Sequence, residues 1–200
     1  MRLFLYPLLL TIALLGVFAE VVSPFLAHKS TPHTLPIHHT LYLERGIYED
    51  QVYHVIAAAM EWNEVTNGDV VLDIKMLPQP NITPGDAIII MNVTPDYPEA
   101  IILDNMNHYS TLGFYNNDTG LAYIALLDER IRGMSYDAVI MHELGHALGL
   151  EHITGIDGLG TLMYPNIEFG SDHITMDDLK QFCHLYHCDA SKYHVISQIQ

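Results

Sequence analysis

The chain has 200 residues, which at about 150 residues per domain is one domain with room for a targeting segment. Half the residues are hydrophobic and 16% are charged, a composition that excludes a disordered or collagen-like chain. Eight Lys and Arg stand against 24 Asp and Glu, a formal charge of −16, and without a cationic face nucleic acid is excluded as a partner.

Residues 1–19, MRLFLYPLLLTIALLGVFA, place Arg2 ahead of an unbroken apolar stretch that ends in a small residue, Ala19. This is the layout of a secretory signal peptide. An uncleaved signal anchor is the alternative, because the stretch sits at the lower limit of a bilayer span. Either way the rest of the chain faces an oxidising exterior, so it is expected to be secreted or anchored with its domain outside. Residues 20–37 carry Pro24, Pro32 and Pro36 and read as a short N-terminal tail.

The alternation over 38–43 predicts a strand. From 49 to 65, the spacing of Val52, Val55, Ile56, Ala59 and Trp62 predicts a helix that stops at Asn67-Gly68. The β-branched runs at 70–74 and 87–91 predict two more strands. Strands at 111–115 and 121–127 flank Asn116-Asn117-Asp118-Thr119-Gly120, a hairpin-like connection. Two helices follow. Ser135 can cap one, with Met134 and Val139 as its staple; Thr175 can cap the other, with Asp178 at its third position and Ile174 and Leu179 as its staple. Sequons stand at Asn81, Asn92 and Asn117.

The chemistry is concentrated in residues 142–152, HELGHALGLEH. On a helix, His142 and His146 share one face about 6 Å apart along the axis, so two imidazoles can bind one metal ion. Glu143 lies beside them, within reach of a water on that metal. Gly149 can stop the helix in the left-handed conformation, and the turn returns His152 as a third nitrogen ligand. Three protein ligands with an open fourth position are the layout of a catalytic zinc site. The alternative is scattered surface histidines on a chain that has 13 of them, but five specified positions in a helical context weigh against it. His38, His39, His173, His184, His187 and His194 lack ligand spacing and read as ordinary histidines. No loop has a calcium-ligand pattern of the EF-hand kind, so Ca2+ has no motif behind it.

HELGHALGLEH resembles the extended zinc motif of the metzincin metalloproteases. Residues 161–165, TLMYP, resemble the Met-turn, which implies that Met163 lies beneath the metal. The Leu-Met-Tyr-Pro form is similar to that of the matrixins, the matrix metalloprotease group. Residues 55–66, VIAAAMEWNEVT, resemble the first matrixin helix; residues 174–186, ITMDDLKQFCHLY, resemble the last; and 85–90 is similar to an intervening strand. The resemblance implies a metalloprotease domain over 38–188, followed by a C-terminal tail over 189–200. The expected fold is a single zincin-like α/β (α+β) domain, a twisted mixed sheet of about five strands with three main helices.

The implied function is a zinc-dependent endopeptidase for extracellular proteins. One catalytic Zn2+ is held by His142, His146 and His152, and Glu143 is the general base. The substrate is expected to bind extended along an edge strand, with Thr111, Leu112, Gly113 and Phe114 as contacts. Pro165, Asn166 and Ile167 would wall the pocket just past the scissile bond. Tyr164 reads as structural rather than as an oxyanion donor. Cys183 and Cys188 would lie about 140° apart on a continuous helix, so a disulfide requires the helix to end near Tyr186, as the resemblance also implies; the exported context favours it.

The chain departs from the matrixin pattern in several ways. Fewer than 20 residues, none of them cysteine, lie between the apolar leader and the first strand, so the usual propeptide thiol has no counterpart there. The second, structural zinc site is unmatched, with His108 the only histidine between His54 and His142. The stretch from His152 to Met163 is a few residues longer than usual. Two other classes remain: a catalytically silent zinc-containing peptide-binding module, against which Glu143 argues, and a membrane-anchored attachment protein.

Overall fold

The computed structural model describes residues 34–77, 87–94, 96–98, 112–116, 122–127, 131 and 136–195. The leader, Thr111, Ser135, Met134 and the sequons at Asn81 and Asn117 lie outside the described residues. In chain order the strands are β1 (Ile37–Leu43), β2 (Val70–Met76), β3 (Ala87–Asn92), β4 (Gly113–Asn116) and β5 (Ala122–Leu126). The helices are α1 (Glu49–Val65), α2 (Tyr136–Ala147) and α3 (Met176–Tyr186).

The sheet has the order β2-β1-β3-β5-β4. β1 pairs in parallel with β2 and β3, β3 pairs in parallel with β5, and β4 alone runs antiparallel, on β5. Among the described residues the chain forms the expected five-stranded mixed sheet with three α-helices. β3 sits in the middle and buries Ile88, Ile89 and Ile90 together. Its continuous apolar run reflects cover on both faces rather than on one. The larger core joins the three helices to one face, with Leu41, Leu43, Ile90, Ile124 and Leu126 meeting Val55, Trp62, Ile140, Leu144 and Phe182. A smaller cluster of Ile89, Phe114, Ala125 and Leu127 lies apart from it, with Tyr42 and Met91 packed alongside.

α1 matches its expected bounds and ends where Asn67 and Gly68 take φ of 51° and 84°, the left-handed conformation that stops a helix. Trp62, fully buried, donates from Nε1 to the Met141 carbonyl at 3.1 Å. That bond ties α1 to the residue before the first candidate ligand. α3 begins with the expected capping box, in which Thr175 and Asp178 each accept from the other's backbone N–H. Ile174 and Leu179, the expected staple, are both buried.

Some boundaries differ from expectation. Ile37, assigned to the N-terminal tail, opens β1 and is buried. The stretch expected as a C-terminal tail from residue 189 is in part domain. Ala190–Lys192 forms a 3-10 turn, Tyr193 is buried, and its hydroxyl donates to Asp69 at 2.6 Å. An aromatic ring with one polar tip can bury its body and still satisfy its hydroxyl, and a single tyrosine among polar neighbours leaves no periodicity to read. No helix among the described residues is long and apolar enough to cross a membrane.

Candidate metal centre

α2 carries the first two histidines and then stops abruptly. Gly149 has φ of 86°, its N–H donates to the His146 carbonyl, and the Leu150 N–H donates to the Gly145 carbonyl, both at 2.9 Å. This is a Schellman closure, which satisfies the last carbonyls of the helix and reverses the chain. The reversal delivers Leu150 and His152 back to the helix.

The result is a convergent nitrogen cluster. His152 Nε2 lies 3.1 Å from His142 Nε2 and 3.2 Å from His146 Nε2. Zinc bound tetrahedrally at about 2.0–2.1 Å needs ligand nitrogens about 3.3 Å apart, so the spacing fits that ion. The opposite ring nitrogens are also held. His142 Nδ1 meets the Leu162 carbonyl at 2.7 Å, and His146 Nδ1 meets the Leu150 carbonyl at 2.9 Å. Donating there fixes the tautomer that leaves Nε2 with a free lone pair. Among the described residues this is the only cluster of three or more side chains placed to hold a metal.

Electrostatics agree with a cation site. Burial, then the neighbouring His146 and His152, hold His142 well below the ordinary histidine range, against the pull of the Leu162 carbonyl. Burial likewise lowers His146, while the Leu150 carbonyl and Glu151 oppose it. His152 is pushed down to about 4, by desolvation first and then by His146. Neutral imidazoles at physiological pH are the form that binds metal.

Glu143 is buried beside them, and burial pushes its carboxyl up to about 8, offset in part by a backbone hydrogen bond from Tyr115 of β4. Its Oε2 accepts no hydrogen bond among the described residues. An orphaned buried carboxylate oxygen is costly, and a divalent cation in the adjacent histidine cluster would favour the charged form. The residues present therefore fit zinc.

β4 comes close to this glutamate. A Cβ on Gly113 would lie 3.2 Å from Glu143 Cγ, Val139 Cγ1 and the Ala125 carbonyl oxygen, so glycine lets the edge strand pack against the active-site helix. Phe114, expected in the strand along which substrate binds, lies in β4. It is buried in the smaller cluster, with its ring 6.0 Å from that of Tyr97, because alternate strand residues point to opposite faces. Leu112 packs against the larger core.

Met163 is fully buried, and its Sδ lies 2.5 Å from where a Gly145 Cβ would stand. The methionine thus fills the space beneath the helix between the two histidines. Its turn is held by Asp178, whose carboxylate accepts the Leu162 and Met163 N–H groups, each at 3.0 Å. Sequence reading found Asp178 only as a cap; its second task spans a loop, and no spacing rule signals it. Beyond the turn, Asn166 caps the 3-10 turn Ile167–Phe169, Ile167 packs against the core, and Pro165 is exposed. Cys183 and Cys188 form a disulfide around the end of α3, where His187 takes the left-handed conformation.

Other expected residues lie elsewhere. His173, read as an ordinary histidine, has its Nδ1 3.1 Å from Glu61 Oε2. Of the sequons, Asn92 falls in β3, where its Nδ2 donates to the Gly46 carbonyl and Gln51 Oε1.

A family model described as matrixin matches residues 26–187. No curated protein matches the chain. Among solved structures, high choriolytic enzyme 1, a hatching enzyme zinc-protease from Oryzias latipes (medaka fish), is similar over 76% of this chain and 90% of that one. Identity is 14% and the TM-score is 0.45. The matrixin match spans most of the sequence and includes the histidine cluster with its glutamate, and the chain belongs to the matrixin family of zinc metalloendopeptidases.

Proposed function

We propose that this enzyme cleaves extended segments of extracellular proteins, held in extended form alongside β4. The observation that carries this reading is the contact between β4 and Glu143. Among the described residues β4 is the last strand of the sheet, beyond β5, its Gly113 lies against the glutamate side chain, and a backbone N–H of the same strand reaches the carboxylate. A peptide lying along that strand would have its backbone beside the general base.

Zinc held by His142, His146 and His152 would polarise the scissile carbonyl and acidify the attacking water. The protein's own part is positional. Glu143, buried beside the histidines, takes a proton from the water and returns it to the leaving amine. Pro165, Asn166 and Ile167 follow the Met-turn and form the wall of the pocket past the scissile bond. The apolar Pro165 and Ile167 suit a large apolar substrate side chain. Matrixins are typically secreted, and the Cys183–Cys188 disulfide is consistent with an exported domain; the apolar leader is the export signal in this reading.

Digesting a random peptide library with and without a zinc chelator tests these statements together. Chelator-sensitive cuts should cluster before large apolar residues. Cuts with no preference at that position would overturn the pocket assignment, and no chelator-sensitive cutting would overturn hydrolysis itself.

A further inference from the structure

Three large apolar side chains stand in solvent close in sequence to the metal site. Ile156 is 86% exposed, Leu159 50% and Phe169 57%. The first two belong to the long stretch between the third histidine and the Met-turn, and Phe169 ends the 3-10 turn after Ile167. The backbone brings the two segments together: the Gly160 N–H donates to the Phe169 carbonyl at 2.8 Å, and the Ser171 N–H to the Thr161 carbonyl at 3.0 Å.

This surface is built, not slack. The Ile153 N–H donates to the Met163 carbonyl at 2.9 Å, and Thr161 Oγ1 donates to the Gly158 carbonyl at 2.7 Å. A Cβ at Gly158 would fall 2.1 Å from the Ile153 carbonyl oxygen, so the turn closes tightly on itself. Chain ordering that presents apolar groups to water has no stability rationale, because each exposed group forgoes its burial energy.

The Asp, Glu, Lys and Arg residues of these two segments carry one sign. Glu151, Asp157, Glu168 and Asp172 are all exposed, and no Lys or Arg occurs between Arg132 and Lys180. An acidic rim around apolar anchors selects a partner with apolar residues flanked by cations.

We propose that Ile156, Leu159 and Phe169 form a docking surface for an apolar, Lys/Arg-rich segment of the protein substrate. Ile156 and Leu159 follow His152 in the chain, and Phe169 follows the Pro165–Ile167 segment, so both segments of the surface lead from residues of the catalytic site. This specificity rests on the endopeptidase reading above, and it adds a substrate class to it.

The test separates docking from cutting. Zinc-loaded full-length Glu143→Ala protein is titrated into labelled peptides of about ten residues, one alternating Leu and Arg and one alternating Ser and Arg. The Leu/Arg peptide should bind about 10-fold more tightly. The double variant Leu159→Ser/Phe169→Ser should erase that difference, and Glu168→Lys, which keeps the apolar groups, should weaken both peptides. Equal binding of the two peptides, or a preference that survives the double variant, would overturn the docking surface. Wild-type cleavage of a short chromogenic peptide is measured in parallel. Absent cleavage with intact Leu/Arg preference would refute the hydrolytic reading and leave the surface standing.

Discussion

Asp178 Oδ1 accepts the Met163 backbone N–H at 3.0 Å. Through this bond the first turn of α3 holds the loop under the metal site. Oδ2 accepts from Leu162 N, Thr175 N and Thr175 Oγ1, and the residue is fully buried. One carboxylate therefore caps a helix and fixes a distant turn whose Leu162 carbonyl in turn orients His142.

Asp178→Asn should lower stability by about 2–3 kcal/mol, since an amide cannot accept at both positions and leaves buried N–H groups unpaired. Zinc affinity should fall with it, because the His142 partner loses its support. Thermal unfolding and chelator competition measure the two effects. Wild-type values for both would mean that the turn is held by packing alone.

Glu143→Ala should keep zinc and fold while losing peptide hydrolysis by 10²-fold or more, the range for removing a general base. Elemental analysis and a fluorogenic peptide assay on the same preparation give both readouts. Activity within a few-fold of wild type would eliminate this glutamate as the base.

Zinc should bind at one ion per chain, and His152→Ala should weaken it greatly, since only two convergent nitrogens would remain. The check is metal retention during dialysis against micromolar chelator. Full retention would move the third ligand to another residue, with Glu151 and Asp157 the nearest candidates.

Gly145→Ala should destabilise by about 1–3 kcal/mol, the range for overpacking a filled core. The added methyl meets Met163 Sδ at 2.5 Å, and displacing the methionine should also reduce zinc affinity. Gly46→Ala is the control, since a Cβ there meets nothing within 4 Å. Denaturant midpoints for the two variants should differ clearly. Equal midpoints would show that Met163 can yield without cost.

Much of this enzyme is legible in its sequence because the governing rules are local. Four residues separate His142 from His146, and the helix period alone puts them on one face. Gly149 stops the helix because few other residues adopt its φ, and Asn67-Gly68 ends α1 for the same reason. Thr175 and Asp178 cap α3 by a reciprocal pair three residues apart. The three isoleucines of β3 read as a strand, since β-branched runs between breakers have few other outcomes.

Tertiary structure decided what depends on contacts between distant segments. Phe114 lies in the candidate edge strand, yet which face it takes depends on the register of β4 against β5, and that register buries it. Tyr193 joins the core through Asp69, a partner 124 residues away. Asp178 serves Met163 across a loop whose path no periodicity encodes, and the use of Gly113 shows only once Glu143, Val139 and the Ala125 carbonyl are packed around it. Local geometry selects the residues that can bind a metal; only the packing of α1, α2 and α3 on the sheet sets the support beneath them, because that support is made by side chains and backbone brought together from separate parts of the chain.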